Sequence, residues 1–433
     1  MSLGCPKNLV DSEEMLGILA RDGYEIEPDC SRADVIVVNT CSFIESAKQE
    51  SIDAILEVAK HKETSRCRSL IVCGCLAQRY AEELRAEIPE TDALVGIGQY
   101  YDLTSVIEST LQGTSVLRAE EPPGEWIECT ARIRSTPPWT GYLKISDGCD
   151  NRCAYCAIPD IRGRYRSRPP QLVIAEAERL VAEGVKELNL VGQDTTLYGA
   201  DIDGGWTLDR LLGELVLLDV KWIRLLYCYP TRVTDDLIGR IAEEPKICKY
   251  MDLPLQHGDD GVLQRMGRKG TSGEYLKLIE RLRVACPEIA IRSSFIVGFP
   301  GESEEQFENL LRFVERARLD RAGAFTYSRE EGTRAAKAVE QVSKDVMAKR
   351  YSRLMELQQA ISLERNKEFL GREIEVLVES DAPLYGRSYR DAPEIDGKVY
   401  LEGTEVDIGE FTRAAVTEAW EYDLKANVGR NSI

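Results

Sequence analysis

The sequence contains only two histidines, His61 and His257, among its 433 residues. They lie far apart in the chain, which disfavours a structural zinc site built from histidine and cysteine pairs. Long apolar stretches are also missing, because no uninterrupted apolar run reaches the roughly 18 residues that would cross a bilayer. No basic-then-apolar leader opens the chain. We therefore expect a cytoplasmic protein without a membrane segment.

Basic side chains are outnumbered by acidic ones. The chain has 55 Lys plus Arg against 74 Asp plus Glu, a formal net charge of −19. This excess disfavours broad binding to nucleic-acid phosphates and favours a basic partner. Solubility alone is the alternative reason for such a charge. With 43% hydrophobic residues, the chain can bury a large core divided among two to four domains.

Cysteine, by contrast, is abundant, with 13 residues. Without a secretory leader, we expect metal ligands or reduced thiols rather than disulfides. Cys149, Cys153 and Cys156 stand close together in the stretch GCDNRCAYC. This spacing brings three thiolates into one loop, which can hold three irons of a [4Fe-4S] cluster and leave the fourth iron open. An open iron is a place where chemistry can occur.

The first stretch, residues 1–133, reads as an open parallel α/β sheet. Residues 35–38 and 70–72 are short β-branched runs, and residues 46–60 have helical periodicity. Cys41 and Cys75 follow the two predicted strands, and Cys5 lies about one βα unit earlier. Because the carboxyl ends of parallel strands share one sheet edge, we expect these three cysteines to meet there.

Other interpretations of the cysteines remain open. A buried thiol behaves as a small hydrophobe, so this second triad could be structural only. Cys73 competes with Cys75, since strand alternation would place both on the same side if the strand ran that far. We favour Cys75, which follows the turn at Gly74. We interpret the remaining cysteines as buried or incidental thiols: Cys30, Cys67, Cys129, Cys228, Cys248 and Cys286.

The central region, residues 134–365, alternates strands and helices and predicts a partial or full (βα) barrel. The predicted strands are residues 186–191, 222–226, 289–299 and 322–327, and the predicted helices are residues 172–183, 272–286 and 304–318. Gly298 and Gly301 serve either a turn or a ligand, since Ser303 and Gln306 have capping-box spacing for the next helix.

Residues 366–433 form a third region of short alternating strands, at residues 373–379, 398–401 and 414–420, as in a small β-barrel. This region has 8 Lys plus Arg and 15 Asp plus Glu, a net charge of −7. That charge opposes a phosphate-binding surface.

The central cysteine motif, with Tyr155 before its last cysteine, resembles the signature of radical S-adenosylmethionine (SAM) enzymes. The resemblance implies that the amino and carboxylate groups of SAM chelate the open iron, and that an external donor supplies the electron that cleaves SAM. Three further stretches resemble the methylthiotransferases among these enzymes: LVGQDTTLYG at 190–199, DLPLQHGDD at 252–260 and FIVGFPGES at 295–303. From the resemblance to radical SAM enzymes we expect Tyr155, Gly192, Gln193 and Arg292 to bind the cofactor.

Three amino-terminal segments resemble the methylthiotransferases: SLGCPKN at 2–8, NTC at 39–41 and GCLAQRY at 74–80. In that family the corresponding cysteines hold a second [4Fe-4S] cluster, which here implies Cys5, Cys41 and Cys75 as its ligands. The third region resembles a TRAM domain. The family normally has a short apolar strand before its first cysteine motif, whereas here Cys5 is almost at the start, so we expect a loosened Cys5.

The segments GRYRSRP at 163–169 and DAPEIDG at 391–397 resemble the RimO-type branch. This branch modifies the β-carbon of an aspartate in ribosomal protein S-twelve. The resemblance implies a basic protein as substrate, and the acidic composition agrees, so we expect no direct nucleic-acid binding. Two alternatives remain: a tRNA-adenosine methylthiotransferase, and a non-catalytic iron–sulfur or RNA-binding scaffold.

Overall fold

The amino-terminal region contains a four-stranded parallel sheet in the order β1-β2-β3-β4. The computed structural model describes residues 1–129, 131–403 and 406–429. The strands are β1 (Val35–Thr40), β2 (Ser69–Gly74), β3 (Ala93–Val95) and β4 (Val116–Arg118). The helices are α1 (Pro6–Arg21), α2 (Glu45–Ala59), α3 (His61–Thr64), α4 (Cys75–Arg79), α5 (Ala81–Glu87) and α6 (Leu103–Leu111).

Both faces of this sheet are buried, as expected for parallel strands. Leu70 and Val72 of β2 pack on the α2 side, whereas Ile71 and Cys73 pack on the side of α1 and α6. Strand alternation therefore explains why the short apolar runs of the sequence have no polar face.

The first residues of the chain are tied into the sheet. Ser2 forms a parallel bridge with Asn39, the Leu3 amide donates to the Asn39 carbonyl at 2.9 Å, and the Asn39 amide donates to the Met1 carbonyl at 2.9 Å. Residues 1–3 thus act as a short strand beside β1. The loosening of Cys5 that we expected from its position is therefore not observed.

Six parallel strands form the partial barrel of the central region. They make two three-stranded sheets, β5-β8-β9 and β10-β11-β12, joined by a parallel bridge between Ile223 and Ile247. The strands are β5 (Thr140–Lys144), β8 (Glu187–Val191), β9 (Trp222–Leu225), β10 (Tyr250–Asp252), β11 (Ala290–Val297) and β12 (Arg321–Thr326). A short antiparallel pair, β6 (Ser146–Asp147) and β7 (Arg166–Ser167), lies beside them.

Eight helices accompany these strands in the part of the chain that the structure describes: α7 (Ile158–Arg162), α8 (Pro170–Ala182), α9 (Leu208–Leu215), α10 (Asp235–Glu243), α11 (Asp260–Arg265), α12 (Ser272–Ala285), α13 (Glu304–Ala317) and α14 (Lys344–Lys367). Helix α13 begins with the capping box expected at Ser303 and Gln306. Gly298 and Gly301 both have φ near +74°, which favours glycine. The turn therefore accounts for both glycines.

The carboxyl-terminal region is a closed five-stranded barrel in the order β13-β14-β15-β17-β16. Its strands are β13 (Glu373–Asp381), β14 (Leu384–Ser388), β15 (Val399–Gly403), β16 (Phe411–Ala419) and β17 (Leu424–Val428). Closure leaves no free strand edge. Leu377 and Ala392 of this region pack against Trp222 and Tyr250 of the central sheets. Among the described residues, no helix is long and apolar enough to cross a membrane.

Candidate functional site

The three amino-terminal cysteines lie at one edge of the four-stranded sheet. Cys41 directly follows β1, Cys75 is the first residue of α4 after β2, and Cys5 directly precedes α1. A Cβ added to Gly4 would lie 2.7 Å from Cys41 Cβ, so the backbone beside Cys5 touches Cys41. The βα connections therefore bring together the three cysteines that are distant in sequence.

Cys41 and Cys75 are buried, Cys5 is partly exposed, and cationic side chains lie close to this triad. Burial raises the pKa of Cys75 to about 12 and also raises that of Cys41. Burial acts on Cys5 in the same direction, but the cations of Lys7 and Arg162 outweigh it, so the Cys5 pKa lies below its ordinary value. Since thiolates are the metal ligands, loading this triad releases protons, and the nearby cations suit an anionic cluster.

Cys149, Cys153 and Cys156 lie in one loop between β6 and α7, and all three are partly exposed. The loop is fixed to the central region, because the Ala154 amide donates to the Met266 carbonyl at 2.7 Å. The local spacing thus gives a compact triad that is open to solvent on one side.

Polar side chains from two neighbouring loops reach Cys149. Asn151 Nδ2 lies 3.4 Å from Cys149 Sγ and donates to Asp194 Oδ2 at 2.9 Å. Arg232 donates to Asn151 Oδ1 at 2.9 Å and also pairs with Asp194. Asp194 follows β8 and Arg232 follows β9, so the strand carboxyl ends orient the cysteine loop.

An arginine from outside the loop lies beside the second cysteine. Arg268 Nη1 is 3.9 Å from Cys153 Sγ, and its guanidinium stacks on Tyr229 at 4.0 Å from the ring centroid. Burial raises the pKa of both Cys149 and Cys156, and neighbouring thiols raise that of Cys156 further. This triad also has to lose protons before it can bind metal.

The candidate SAM residues fall into two groups. Tyr155 lies within the loop and packs beside Met266, while Gly192 and Gln193 directly follow β8. The Gln193 amide nitrogen and oxygen are buried without hydrogen-bond partners among the described residues, as is Ser146 Oγ. A Cβ on Gly192 would lie 2.3 Å from Ser146 Oγ. Orphaned buried polar atoms fit a polar ligand such as SAM.

Arg292 lies elsewhere, near the amino end of β11. Its guanidinium donates to Asp252 Oδ1 at 2.8 Å and to Asp396 Oδ1 at 3.3 Å. The Asp252 carboxylate also accepts from the backbone amide of Tyr227 at 2.9 Å. Both Arg292 partners are thus protein carboxylates, and the side chain links the central sheets to the carboxyl-terminal region.

The cysteine triads are not arranged for a single metal ion. Among the residues that the structure describes, no group of three His, Cys, Asp or Glu side chains is close enough to hold one ion. A cubane cluster places each thiolate on a different iron, so its ligands stand farther apart than those of one ion. The donor sets, three sulfurs in each triad, fit iron–sulfur clusters.

Sequence analysis did not single out several polar residues of the site, which include Asn151, Asp194, Arg232 and Arg268 as well as Asn8 and Arg162. Asn8 lies inside SLGCPKN and Arg162 precedes GRYRSRP, so both stood within or beside stretches that we had singled out. Their contacts join separate regions of the chain, and a local sequence pattern does not contain that information.

Three family models match the chain: the radical SAM superfamily over residues 143–314, the uncharacterized protein family UPF0004 over residues 1–96 and the TRAM domain over residues 370–428. Among solved structures, the radical SAM methyltransferase TsrM from Kitasatospora setae aligns with a TM-score of 0.55 at 16% identity. That alignment covers 72% of this chain and 69% of TsrM, and it shows similarity of fold.

Curated relatives match almost the full chain. A ribosomal protein uS12 methylthiotransferase RimO from Geobacter sulfurreducens is 51% identical over 431 residues, 98% of this chain and 96% of the relative. Its counterpart from Desulforamulus reducens is 50% identical, with 99% of both chains covered. The counterpart from Heliobacterium modesticaldum is 50% identical over 98% of this chain and 93% of its own. The chain therefore belongs to the RimO family of methylthiotransferases within the radical SAM superfamily.

Proposed function

We propose that this protein transfers a methylthio group to the β-carbon of an aspartate in ribosomal protein uS12. The observation that carries the proposal is the presence of two cysteine triads, of which the amino-terminal one contacts the helix that follows the central one. When bound, two [4Fe-4S] clusters and SAM supply the methylated sulfur and the 5′-deoxyadenosyl radical that removes hydrogen from the substrate carbon. The protein itself binds, orients and shields these groups.

In this proposal, Cys149, Cys153 and Cys156 hold one cluster, and Cys5, Cys41 and Cys75 hold the other. Tyr155, Gly192 and Gln193 line the SAM position, where the orphaned Gln193 amide can both donate and accept. Arg292 was expected to bind SAM as well, and in this proposal its pairing with Asp252 and Asp396 gives it a supporting role rather than a free charge for the cofactor. An external electron donor completes the requirements of the reaction.

Charge favours a basic protein as the substrate. The chain carries −19 overall, and complementary charge speeds the encounter with a cationic partner. We infer that the TRAM region, which is acidic as well, repels the phosphates of tRNA. We also infer that the protein acts in the cytoplasm, and we assign residues 1–133, 134–365 and 366–433 to its three domains.

A substrate comparison tests the proposal. The anaerobically reconstituted enzyme is incubated with SAM, a reductant and either uS12 or total tRNA, and both are analysed by mass spectrometry. We expect one methylthio group on a uS12 aspartate and none on tRNA. The Cys153→Ala variant should lose SAM cleavage and about half of the iron, whereas Cys286→Ala, at a buried thiol near α12, should lose neither.

Two outcomes would contradict the proposal and point to the alternatives. Modification of tRNA alone would favour the tRNA-adenosine methylthiotransferase. If SAM stays intact after full reconstitution and reduction, the non-catalytic iron–sulfur or RNA-binding scaffold is favoured.

A further inference from the structure

The side chain of Asn8 touches all three segments that carry the amino-terminal cysteines. Its Nδ2 donates to the Leu3 carbonyl at 2.9 Å and to the Thr40 carbonyl at 2.8 Å. Its Oδ1 lies 3.8 Å from Cys75 Sγ. Asn8 is fully buried, with 0% of its surface exposed. One amide thus ties together the backbone before Cys5, the backbone before Cys41 and the thiol of Cys75.

Arg162, which belongs to the central region, donates a hydrogen bond to the same Asn8 side-chain amide. It is the last residue of α7, six positions after Cys156, and only 1% of its surface is exposed. Its Nη2 donates to Asn8 Oδ1 at 2.7 Å and to Asp11 Oδ2 at 2.8 Å, while Nη1 donates to both oxygens of Asp147 at 3.2 Å. Asp147 lies two residues before Cys149, so one guanidinium reaches the surroundings of both triads.

The carboxylates around Arg162 do not depend on it alone. Asp11 also pairs with Lys144, and Asp147 also lies 3.6 Å from Arg166. Removing Arg162 therefore leaves each acid with a cation. Among the described residues, no other cation donates to Asn8 Oδ1, and Arg162 alone contacts Asn8, Asp11 and Asp147 together through its planar guanidinium.

We propose that Asn8 and Arg162 are positioning residues that fix the amino-terminal triad relative to the central triad. This inference rests on the proposed function, because it assigns to the pair the spacing at which the sulfur donor and the radical source meet the substrate carbon. Asn8 sets the shape of one triad, and Arg162 sets its place beside the other. Neither residue supplies a thiolate to a cluster.

The role of Arg162 is tested in enzyme reconstituted with both clusters. Arg162→Met and the conservative Arg162→Lys should keep both clusters and cleave SAM, but the magnetic interaction between the two reduced clusters in electron paramagnetic resonance should weaken. Methylthio transfer per SAM cleaved should fall roughly ten- to hundredfold, as for a misplacement of about 1 Å. If Arg162→Met fails to fold, Arg162→Lys is the deciding variant.

The matched control is Arg390→Met. Arg390 is as buried as Arg162 and joins the carboxyl-terminal region to the central region through its ion pair with Asp320. When Arg390 is replaced, Asp320 still pairs with Arg365, just as the carboxylates around Arg162 keep a cation when Arg162 is replaced. This variant should keep the magnetic interaction between the reduced clusters and the wild-type amount of methylthio transfer per SAM cleaved. An Arg162 variant that matches wild type in both measurements would overturn the proposal, as would an Arg390 variant that changes both.

A second experiment uses the metal-free protein and does not depend on catalysis. Asn8→Asp keeps the acceptor toward Arg162 but loses both donations to Leu3 and Thr40. We expect alkylation of Cys5, Cys41 and Cys75, followed by peptide mass spectrometry, to become several-fold faster, while Cys149, Cys153 and Cys156 keep their rates. Unchanged labelling would overturn the role of Asn8. If wild-type enzyme modifies no substrate while the labelling result holds, the proposed function fails but the positioning of the triad stands.

Discussion

At the scale of single residues, Cys73 and Cys75 differ by two positions but face different parts of the protein. Cys73 packs among apolar residues of α1 and α6, whereas Cys75 packs beside Ile161 of α7. Gly74 permits this change of direction, with a φ of +92° and an added Cβ that would lie 2.2 Å from Asn39 Oδ1. The end of β2 therefore decides which thiol reaches the site.

The two thiols give a matched pair of variants. Cys75→Ala should remove about half of the iron bound after reconstitution, because one of two similar clusters loses a ligand. Cys73→Ala should keep all of the iron and cost only about 1 kcal/mol of unfolding free energy. Iron and sulfide analysis measures both effects. Loss of iron from Cys73→Ala with retention in Cys75→Ala would reverse our ligand assignment.

At the scale of elements, the short strand at residues 1–3 supports the amino-terminal triad. The Leu3 amide donates to Asn39 in β1, and the Leu3 carbonyl accepts from Asn8. The Ser2 amide, in contrast, makes no hydrogen bond within the described part of the chain, since it points away from β1. Pairing of three residues thus holds the backbone that leads into Cys5.

Proline substitution distinguishes the contribution of the Leu3 backbone amide from that of the Ser2 backbone amide. Leu3→Pro removes the donor to Asn39 and should free residues 1–3, which lowers the iron retained by the amino-terminal triad. Ser2→Pro removes an amide that has no partner there and should retain wild-type iron. Hydrogen exchange of the β1 amides, combined with iron analysis, compares the variants. Equal iron in both would mean that the strand does not support the triad.

The regular elements that we predicted from the sequence are present in the structure. The β-branched run at residues 35–38 became β1 (Val35–Thr40), and the helix predicted at residues 46–60 became α2 (Glu45–Ala59). Several helices were not predicted, among them the long helices α1 (Pro6–Arg21) and α14 (Lys344–Lys367). The five-residue helices α4 and α7 are too short for helical periodicity to appear.

The site was predictable only in part. The central cysteine loop depends on local spacing, and the edge position of Cys41 and Cys75 follows from the order of strands and helices. The contact between Asn8 and Arg162 joins residues 154 positions apart. Such a contact depends on how complete regions pack against one another, which local periodicity does not encode.

At the scale of the whole molecule, buried ion pairs join the carboxyl-terminal barrel to the central sheets. Glu187 of β8 accepts from Arg224 Nε at 2.9 Å and from Arg387 Nη2 at 2.6 Å. All three side chains are buried. A buried charge without a partner is costly. The contact between the carboxyl-terminal barrel and the central sheets therefore depends on the ionisation of Glu187.

The ion pairs of Glu187 with Arg224 and Arg387 predict that the protein loses stability in acid. Burial raises the pKa of Glu187, but Arg387 and Arg224 outweigh burial and lower it to about 2. An unfolded glutamate titrates at about 4.3, so stability from Glu187 is complete above about pH 5 and is lost as the pH falls toward 2. Denaturant unfolding of the metal-free protein across this range should show decreasing stability.

The variant Glu187→Gln should cost about 3–5 kcal/mol at neutral pH, because it leaves the buried Arg224 without its carboxylate partner, while Arg387 keeps only Glu379. It should also flatten the dependence on pH. Glu373→Gln is the control, since Glu373 and its partner Arg413 are both exposed and contribute little. A steep wild-type profile retained in Glu187→Gln would assign the acid sensitivity to other groups.

The most direct test of the central claim follows one hydrogen atom. Ribosomal protein uS12 labelled with deuterium at the aspartate β-carbon is incubated with reconstituted enzyme, SAM and reductant. The account predicts deuterium in the 5′-deoxyadenosine and a methylthio group on the same β-carbon. Formation of 5′-deoxyadenosine without deuterium, with uS12 unmodified, would contradict it.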